Sequence, residues 1–493
     1  MNIEEKENSL IVKNILSRVR SSFEEFGLVN AKLVVAVSGG SDSQTLLHVL
    51  NSIKDDLSLT LHGAHFNHGL RIPESDHDAK IVETLFNEYN MKYSIESAFL
   101  KNLYQGTTST LETTARKFRY DFFYKIAAQE KADAIILGHT YDDQAETVMM
   151  NIFRGTGLQG LQGMQIYTTR RRFKHSFAVF RPLISTSHKE NLSYCKISNI
   201  LPLEDPTNFS LIPRRNWIRN SILQSIKKFY PNVVHSLNRL ATISQEDANL
   251  IEELVDTYWE TALSQNILPS LNSHESISLK ITELVNLNVS IKKRLLRKAY
   301  FNIAGSLENL TYHHIEQIVD VLNGESGKAC SLPNAIQVIN EYNTLTFYKA
   351  HNGICDSEKF IPIKLKVPGE TILSKEWSIV TSYSSGSSQQ AQKQESLSAS
   401  FRASLGETNL KIRIRNSGDR FQPLGMAQEK ILSRYFIDQK IPRNRRCCLP
   451  LLTSNNSIAW VGGKQIAEWS KVSQKDQPIL LVRLKNNRLQ NQT

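Results

Sequence analysis

The first third of the chain alternates two hydrophobic textures. Leu33 to Val37 (LVVAV) is a short, continuous apolar run rich in valine, the pattern of a strand buried on both faces. Gln44 to Ile53 follows with Leu46, Leu47 and Leu50 on one helical face. Leu57 to Phe66 predicts the next strand and Asp78 to Tyr89 the next helix. Thr113 to Glu130 predicts a third helix, and Ala134 to Gly138 (AIILG) a further strand. Strand, helix and strand at this spacing predict βαβ units, hence an α/β domain whose parallel sheet carries helices on both faces. Ligands of such sheets sit beyond the carboxyl ends of the strands.

After about Phe229 the texture changes. Asn232 to Tyr258 and Ile291 to Phe301 have helical periodicity, separated by the polar stretch Ser270 to Ser278. This predicts a catalytic-type α/β domain over 1–229 and a mainly helical middle domain over 230–350. A small α+β domain is expected over 351–493, where Leu410 to Arg415 and Ser457 to Val461 read as strands. The Ser- and Gln-rich stretch 382–400 reads as a flexible insert.

Composition narrows the partners. Hydrophobic residues make up 40% and charged residues 22%, ordinary values for a globular protein. No stretch approaches the roughly 18 apolar residues that a membrane span needs. The polar, acidic start Met1 to Glu7 predicts neither a secretory nor a transit segment. A formal net charge of +11 favours a polyanionic partner, because neutralising phosphates releases counterions. Five cysteines (195, 330, 355, 447 and 448) form no C-x-x-C pair, against a zinc ribbon or a Cys-ligated cluster and in favour of free thiols.

The chemistry concentrates in Ser38-Gly39-Gly40-Ser41-Asp42-Ser43, between the LVVAV strand and the helix after it. Glycines admit an anion close to the backbone, and successive N–H groups can cradle phosphate oxygens. Ser38, Ser41 and Ser43 add hydroxyl donors, and the helix start adds partial positive charge. Asp42 would repel phosphate unless Mg²⁺ lies between them, so the string predicts a metal–pyrophosphate cradle. Two other glycine patterns are decoys. Gly324 to Lys328 lacks Walker spacing, and Gly155 to Gly160 fits G-x-G-x-x-G but follows a helical segment rather than a strand.

The Ser38–Ser43 string resembles the PP-loop of ATP pyrophosphatases, with an adenine nucleotide alpha hydrolase-like, Rossmann-like fold. Further segments are His65-Phe66-Asn67-His68-Gly69-Leu70-Arg71, Ala115 to Tyr120, and Gly138-His139 through Thr147 leading into Arg154-Gly155-Thr156-Gly157. Arg181-Pro182-Leu183, Asp205 to Asn208 and Arg214 to Arg219 complete the order. Together they resemble the tRNA(Ile)-lysidine synthase family, closely over about 30 to 225 and more weakly from Gly418 to Trp469. The resemblance implies ATP and Mg²⁺ as cofactors, and L-lysine and a tRNA(Ile) with a CAU anticodon as substrates. In that chemistry the 2-oxo group of the wobble cytidine is adenylated and lysine then displaces AMP, which switches decoding from AUG to AUA. A homodimer in a bacterial cytoplasm, or in the stroma for a plastid-encoded chain, is implied as well.

Asp143 and Glu146, spaced i, i+3 near a helix start, could hold the lysine ammonium, and one could take its proton. Freeing that amine costs about 4–5 kcal/mol at neutral pH. Taken alone the pair reads first as serving the helix dipole, and the Ser38–Ser43 loop and His139 beside it turn the reading towards the lysine. Arg116 and Arg119 are candidates to neutralise the α-phosphate or are surface charges, Arg119 being the weaker candidate. Arg215 is expected at the phosphate or adenylate. His65 and His68 could lie near the adenine or cap a strand, and Gly155, Gly157 and Gly160 could form a tight loop over the site. The basic runs Arg170 to Lys174, Lys292 to Lys298 and Arg443 to Arg446 suit a tRNA backbone or a solvated face. Trp217, Trp460 and Trp469 read as core or interface residues rather than as base-stacking platforms. The competing functions are a tRNA thiolase, which the missing cysteine pair disfavours, a small-molecule amidating ligase, and a tRNA-binding protein without turnover.

Overall fold

The computed structural model describes residues 3–69, 73–98, 111–172, 175–203, 214–264, 271, 276–349, 361–374, 377–384, 397–472 and 478–487. Leu70, Arg71, Lys174, Asp205 to Asn208 and residues 385–396 of the Ser/Gln insert lie outside the described residues. The chain forms two compact units, Met1–Leu250 and Ile251–Thr493.

The first unit runs α1 (Ile3–Glu25), β1 (Lys32–Ala36), α2 (Ser41–Ile53), β2 (Thr60–Asn67), α3 (Glu74–Glu88), β3 (Lys92–Ser97), α4 (Leu111–Glu130) and β4 (Ala134–Ile136). It continues with α5 (Tyr141–Phe153), α6 (Leu158–Leu161), β5 (Tyr167–Arg172), β6 (His175–Phe180) and α7 (His188–Ile197). After α8 (Arg214–Trp217), a π-helical turn over Ile218–Ile222 leads into α9 (Leu223–Lys227) and α10 (Val233–Ala262), which continues into the second unit. The strands order as β3-β2-β1-β4-β6-β5, all parallel except β5, which runs antiparallel to β6 at the edge.

Period-two burial explains the layers. Leu33, Val35, Ala134, Ile136 and Phe180 face a core shared with residues of α1, α2, α3 and α7. Val34, Ile135 and Val179 face the opposite side, where Phe122, Phe123 and Ile126 of α4 cover them. The central strands are thus buried on both faces, as LVVAV and AIILG predicted. β2 begins at Thr60 rather than Leu57, because Leu57 to Leu59 belong to a turn in which Ser58 has φ 54°. β3, β5, β6 and α1 were not foreseen. Arg170 to Arg172, expected only as a basic run, form half of the edge strand β5.

In the second unit, Val289–Ala304 supplies the helix predicted over Ile291 to Phe301, the helix Tyr312–Leu322 was not predicted, and both pack on a four-stranded antiparallel sheet. One of its strands is Ser276–Lys280, which begins inside the stretch read as polar and alternates serines with Ile277 and Leu279. Two further four-stranded antiparallel sheets enclose a core containing Trp377, Phe401 and Trp460, and Leu432–Asp438 adds a helix. Leu410–Arg413 and Ser457–Val461 are strands as expected.

The basic runs of this unit are largely committed. Lys293, Arg294 and Lys298 pair with Glu316, Glu252 and Asp256. Arg445 donates to Ser276 Oγ, and Arg446 Nη2 to the Tyr342 hydroxyl at 3.0 Å. Cys195 and Cys330 are free thiols, whereas Cys447 is disulfide-bonded, a departure from the all-thiol expectation. Among the described residues no helix is long and apolar enough to cross a membrane.

Candidate active site

Strand order reverses between β1 and β4, so the connections leaving their carboxyl ends diverge and open a crevice. The Ser38–Ser43 loop lies on one side and the start of α5 on the other. They approach closely: a Cβ on Gly138, just after β4, would stand 3.3 Å from the Asp42 carbonyl oxygen.

The helix that follows the loop locks its shape. Ser43 Oγ accepts from the Ser38 N–H at 3.2 Å and the Gly39 N–H at 3.1 Å, and donates to Gly40 O at 2.9 Å. Gln44 Nε2 donates to Gly39 O at 2.6 Å. Gly39 has φ +91°, and a Cβ there would meet Leu203 Cδ1 at 2.5 Å. The first-turn amides of α2 lack intrahelical acceptors and suit an anion. Asp42 is held from α7: Asn191 Nδ2 donates to Oδ1 at 2.8 Å, and His188 Nδ1 lies 3.1 Å from both oxygens. That hydrogen bond raises the His188 pKa above its ordinary value.

Across the crevice, Thr140 caps α5 through a capping box in which Asp143 Oδ2 accepts from the Thr140 N–H at 2.9 Å. Asp143 Oδ1 pairs with Arg215 Nη2 at 3.0 Å and Arg219 Nη2 at 3.1 Å. Glu146 is fully buried and takes Arg215 Nε on Oε2 at 2.7 Å and Arg219 Nε on Oε1 at 2.5 Å. Two carboxylates and two guanidiniums thus form one neutral cluster. Burial pushes the Asp143 pKa up, but Arg215, His139, the Thr140 N–H and Arg219 together hold it below the usual carboxylate value. The π turn after α8 lies between the segments carrying Arg215 and Leu223, and it carries Arg219.

Neutral histidines line the same cavity of about 1000 Å³. His65 Nδ1 lies 2.8 Å from Val37 O, so it must donate there and Nε2 is left as an acceptor. Burial lowers its pKa. Burial, helped by the Arg119 charge, pushes His68 down to about 4, and burial takes His139 to about 3.

The cavity wall therefore brings together Ser38, Gly40, Ser41, Asp42, Ser43, His65, His68, Arg119, His139, Asp143, Glu146 and Arg219. Arg215 stands behind it, on the carboxylates rather than free for a phosphate. Arg116 is exposed with its guanidinium 4.9 Å above the Tyr120 ring and is not among the lining residues, whereas Arg119 is. Gly155, Gly157 and Gly160 do not line the cavity. They lie in the turn after α5 and in α6, which Gln144 secures by accepting from the Met164 N–H at 2.6 Å and donating to Met164 O at 2.9 Å.

Sequence reading missed His188, Asn191 and the pairing of Arg219. The i, i+4 spacing of Arg215 and Arg219 was a usable signal. Nothing local ties α7 to Asp42, which precedes His188 by 146 positions.

A PP-loop domain family model matches residues 11–226, and a TilS substrate C-terminal domain model matches residues 410–483. A tRNA(Ile)-lysidine synthase of Dehalococcoides mccartyi is 32% identical over 95% of this chain and 98% of its own length. One of Clostridioides difficile is 30% identical over 95% of this chain and 99% of its own. Among solved structures, a U34-tRNA thiolase of Methanococcus maripaludis matches 48% of this chain and 80% of its own at 21% identity and a TM-score of 0.41.

Proposed function

The chain belongs to the tRNA(Ile)-lysidine synthase family of ATP-dependent ligases, and from that premise we propose that it joins L-lysine to the wobble cytidine of a CAU-anticodon tRNA(Ile). The cytidine 2-oxygen attacks the α-phosphorus of ATP and pyrophosphate leaves. The lysine ε-nitrogen, after losing a proton, then forms a bond to C2, and AMP leaves with the former 2-oxygen. The product reads AUA in place of AUG. This reading requires a compartment that holds ATP, lysine and tRNA, the cytoplasm or, for a plastid-encoded chain, the stroma.

The observation that carries the reading is one cavity with an anion cradle on one wall and a carboxylate cluster on the other. Ser38 to Ser43 and the α2 amides would hold the pyrophosphate end of ATP. The His65 Nε2 acceptor suits the exocyclic amine of adenine. Arg119 on the wall is better placed than Arg116 to meet charge developing at the α-phosphate. Asp143, kept anionic, suits holding the lysine ammonium more than removing its proton. Glu146, Arg215 and Arg219 fix its position.

Among the described residues no cluster of three or more His, Cys, Asp or Glu side chains could hold a metal. Mg²⁺ usually takes one or two carboxylates plus substrate phosphates, and Asp42 beside the cradle fits that donor set. Bound there, the ion would neutralise phosphate charge.

The test is incorporation of radiolabelled lysine into a CAU-anticodon tRNA(Ile) transcript with ATP and Mg²⁺. Incorporation that needs the wobble cytidine and is lost in Asp143→Asn supports the proposal. Pyrophosphate release without lysine incorporation would keep adenylation and discard lysine. Neither signal from folded protein would leave a tRNA-binding protein without turnover.

A further inference from the structure

The contact between α5 and α8 carries a second pair of side chains that the chemistry above does not use. Phe153 is 57% exposed and Trp217 is 43% exposed, with ring centroids 6.5 Å apart and planes inclined by 40°. Their neighbours Arg154 and Arg214 are exposed as well, and neither guanidinium forms a hydrogen bond or ion pair with a described residue. Exposed aromatics interleaved with exposed arginines match single-stranded nucleic acid, which offers base faces and phosphates together.

The location adds a second argument. Phe153 follows Glu146 by seven residues, two turns along the same face of α5 and about 10 Å along its axis. Trp217 follows Arg215 by two residues, and its ring meets Phe153 while Arg215 meets Glu146. The buried ionic cluster and the exposed aromatic pair are therefore successive rungs of one helix contact. The first borders the cavity and the second faces water.

An enzyme acting at C2 of a base must first take that base out of its stack. The neighbouring nucleotides then lose a stacking partner. We propose that Phe153 and Trp217, flanked by Arg154 and Arg214, form a docking surface for the single-stranded loop nucleotides next to the base held in the cavity. The rings stack those bases and the arginines take their phosphates. This surface rests on the RNA substrate of the proposed function.

The experiment measures binding of a stem-loop RNA with a CAU loop to the full chain, by fluorescence anisotropy over a salt series. Trp217→Leu, at an exposed position, is expected to weaken binding by roughly 5- to 100-fold, whereas Trp217→Phe retains most of the affinity. Arg154→Gln is expected to lower the slope of log affinity against log salt by about 0.7 to 1. ATP affinity measured on each variant should equal that of the wild type, which verifies folding of the cradle. If the wild type does not bind the stem-loop, the RNA reading fails and this surface with it. If the wild type binds and Trp217→Leu binds equally well, the surface alone is overturned. Unchanged RNA affinity with an altered sedimentation coefficient would assign the patch to a protein contact and overturn the proposal.

Discussion

Arg215 Nε stands 2.7 Å from Oε2 of Glu146, a carboxylate with no exposed surface. The Arg215 side chain is itself only 21% exposed, so water compensates poorly for either partner if the other is removed. Breaking a buried pair from one side leaves an uncompensated charge and typically costs about 3–5 kcal/mol. Arg219 holds the same carboxylate and softens that cost. Arg215→Met is therefore expected to destabilise the first unit by about 3 kcal/mol in urea unfolding. A double-mutant cycle with Glu146→Gln should return a coupling of about 1–3 kcal/mol. A coupling near zero would mean that the two side chains act independently.

Gly39→Ala should disable the cradle with little loss of secondary structure. Its φ of +91° disfavours any L side chain, and the added carbon would meet Leu203 Cδ1 at 2.5 Å. Relief of that contact moves the loop amides away from the phosphates. ATP affinity is expected to fall at least about tenfold, the equivalent of ~1.4 kcal/mol. Nucleotide titration measures it, and circular dichroism shows whether the fold survives.

Arg119 and Arg116 separate cleanly in position. Arg119 borders the cavity beside His68, whereas Arg116 lies over Tyr120 in water. Arg119→Ala is expected to slow tRNA-dependent pyrophosphate release by about 10²–10³, the usual effect of deleting one transition-state donor. Arg116→Ala should slow it by far less. Equal losses would remove the distinction between the two.

Acid should weaken the first unit before its carboxylates titrate. His68 and His139 have folded pKa values of about 4 and about 3, against 6.5 for an ordinary histidine. Between those values the unfolded chain binds more protons than the folded one, so stability rises with pH there. Their contribution is complete above pH 6.5 and is lost as pH falls towards 4 and then 3. The depressed Asp143 pKa adds a loss only below about its ordinary 3.8. Urea midpoints measured from pH 7 downwards should fall less steeply for His68→Gln than for the wild type. Parallel curves would show that the folded protein protonates His68 normally.

Local sequence carried much of the architecture, and it did so for local reasons. Leu33 to Val37 and Ala134 to Ile136 are apolar on both faces, which only a covered parallel strand satisfies. Ser38 to Ser43 needs no distant partner to close, since Ser43 itself accepts from the loop amides. Thr140 and Asp143 likewise spell their capping box within four residues. The strand Ser276–Lys280 was hidden because only Ile277 and Leu279 mark its period of two.

Tertiary structure decided what the charges do. Asp143 and Glu146 read as free acids at a helix start, yet Arg215 and Arg219, some seventy residues later, neutralise both. Asp42 gained His188 and Asn191 only because α7 packs against α2. Whether Arg116 or Arg119 faced the cavity depended on the rotation of α4 over the sheet, to which a mostly polar helix start offers no sequence guide. Backbone preference and hydrophobic period act between near neighbours and can be read along the chain. Ion pairing acts through space, and its partners become definite only when the fold brings them together.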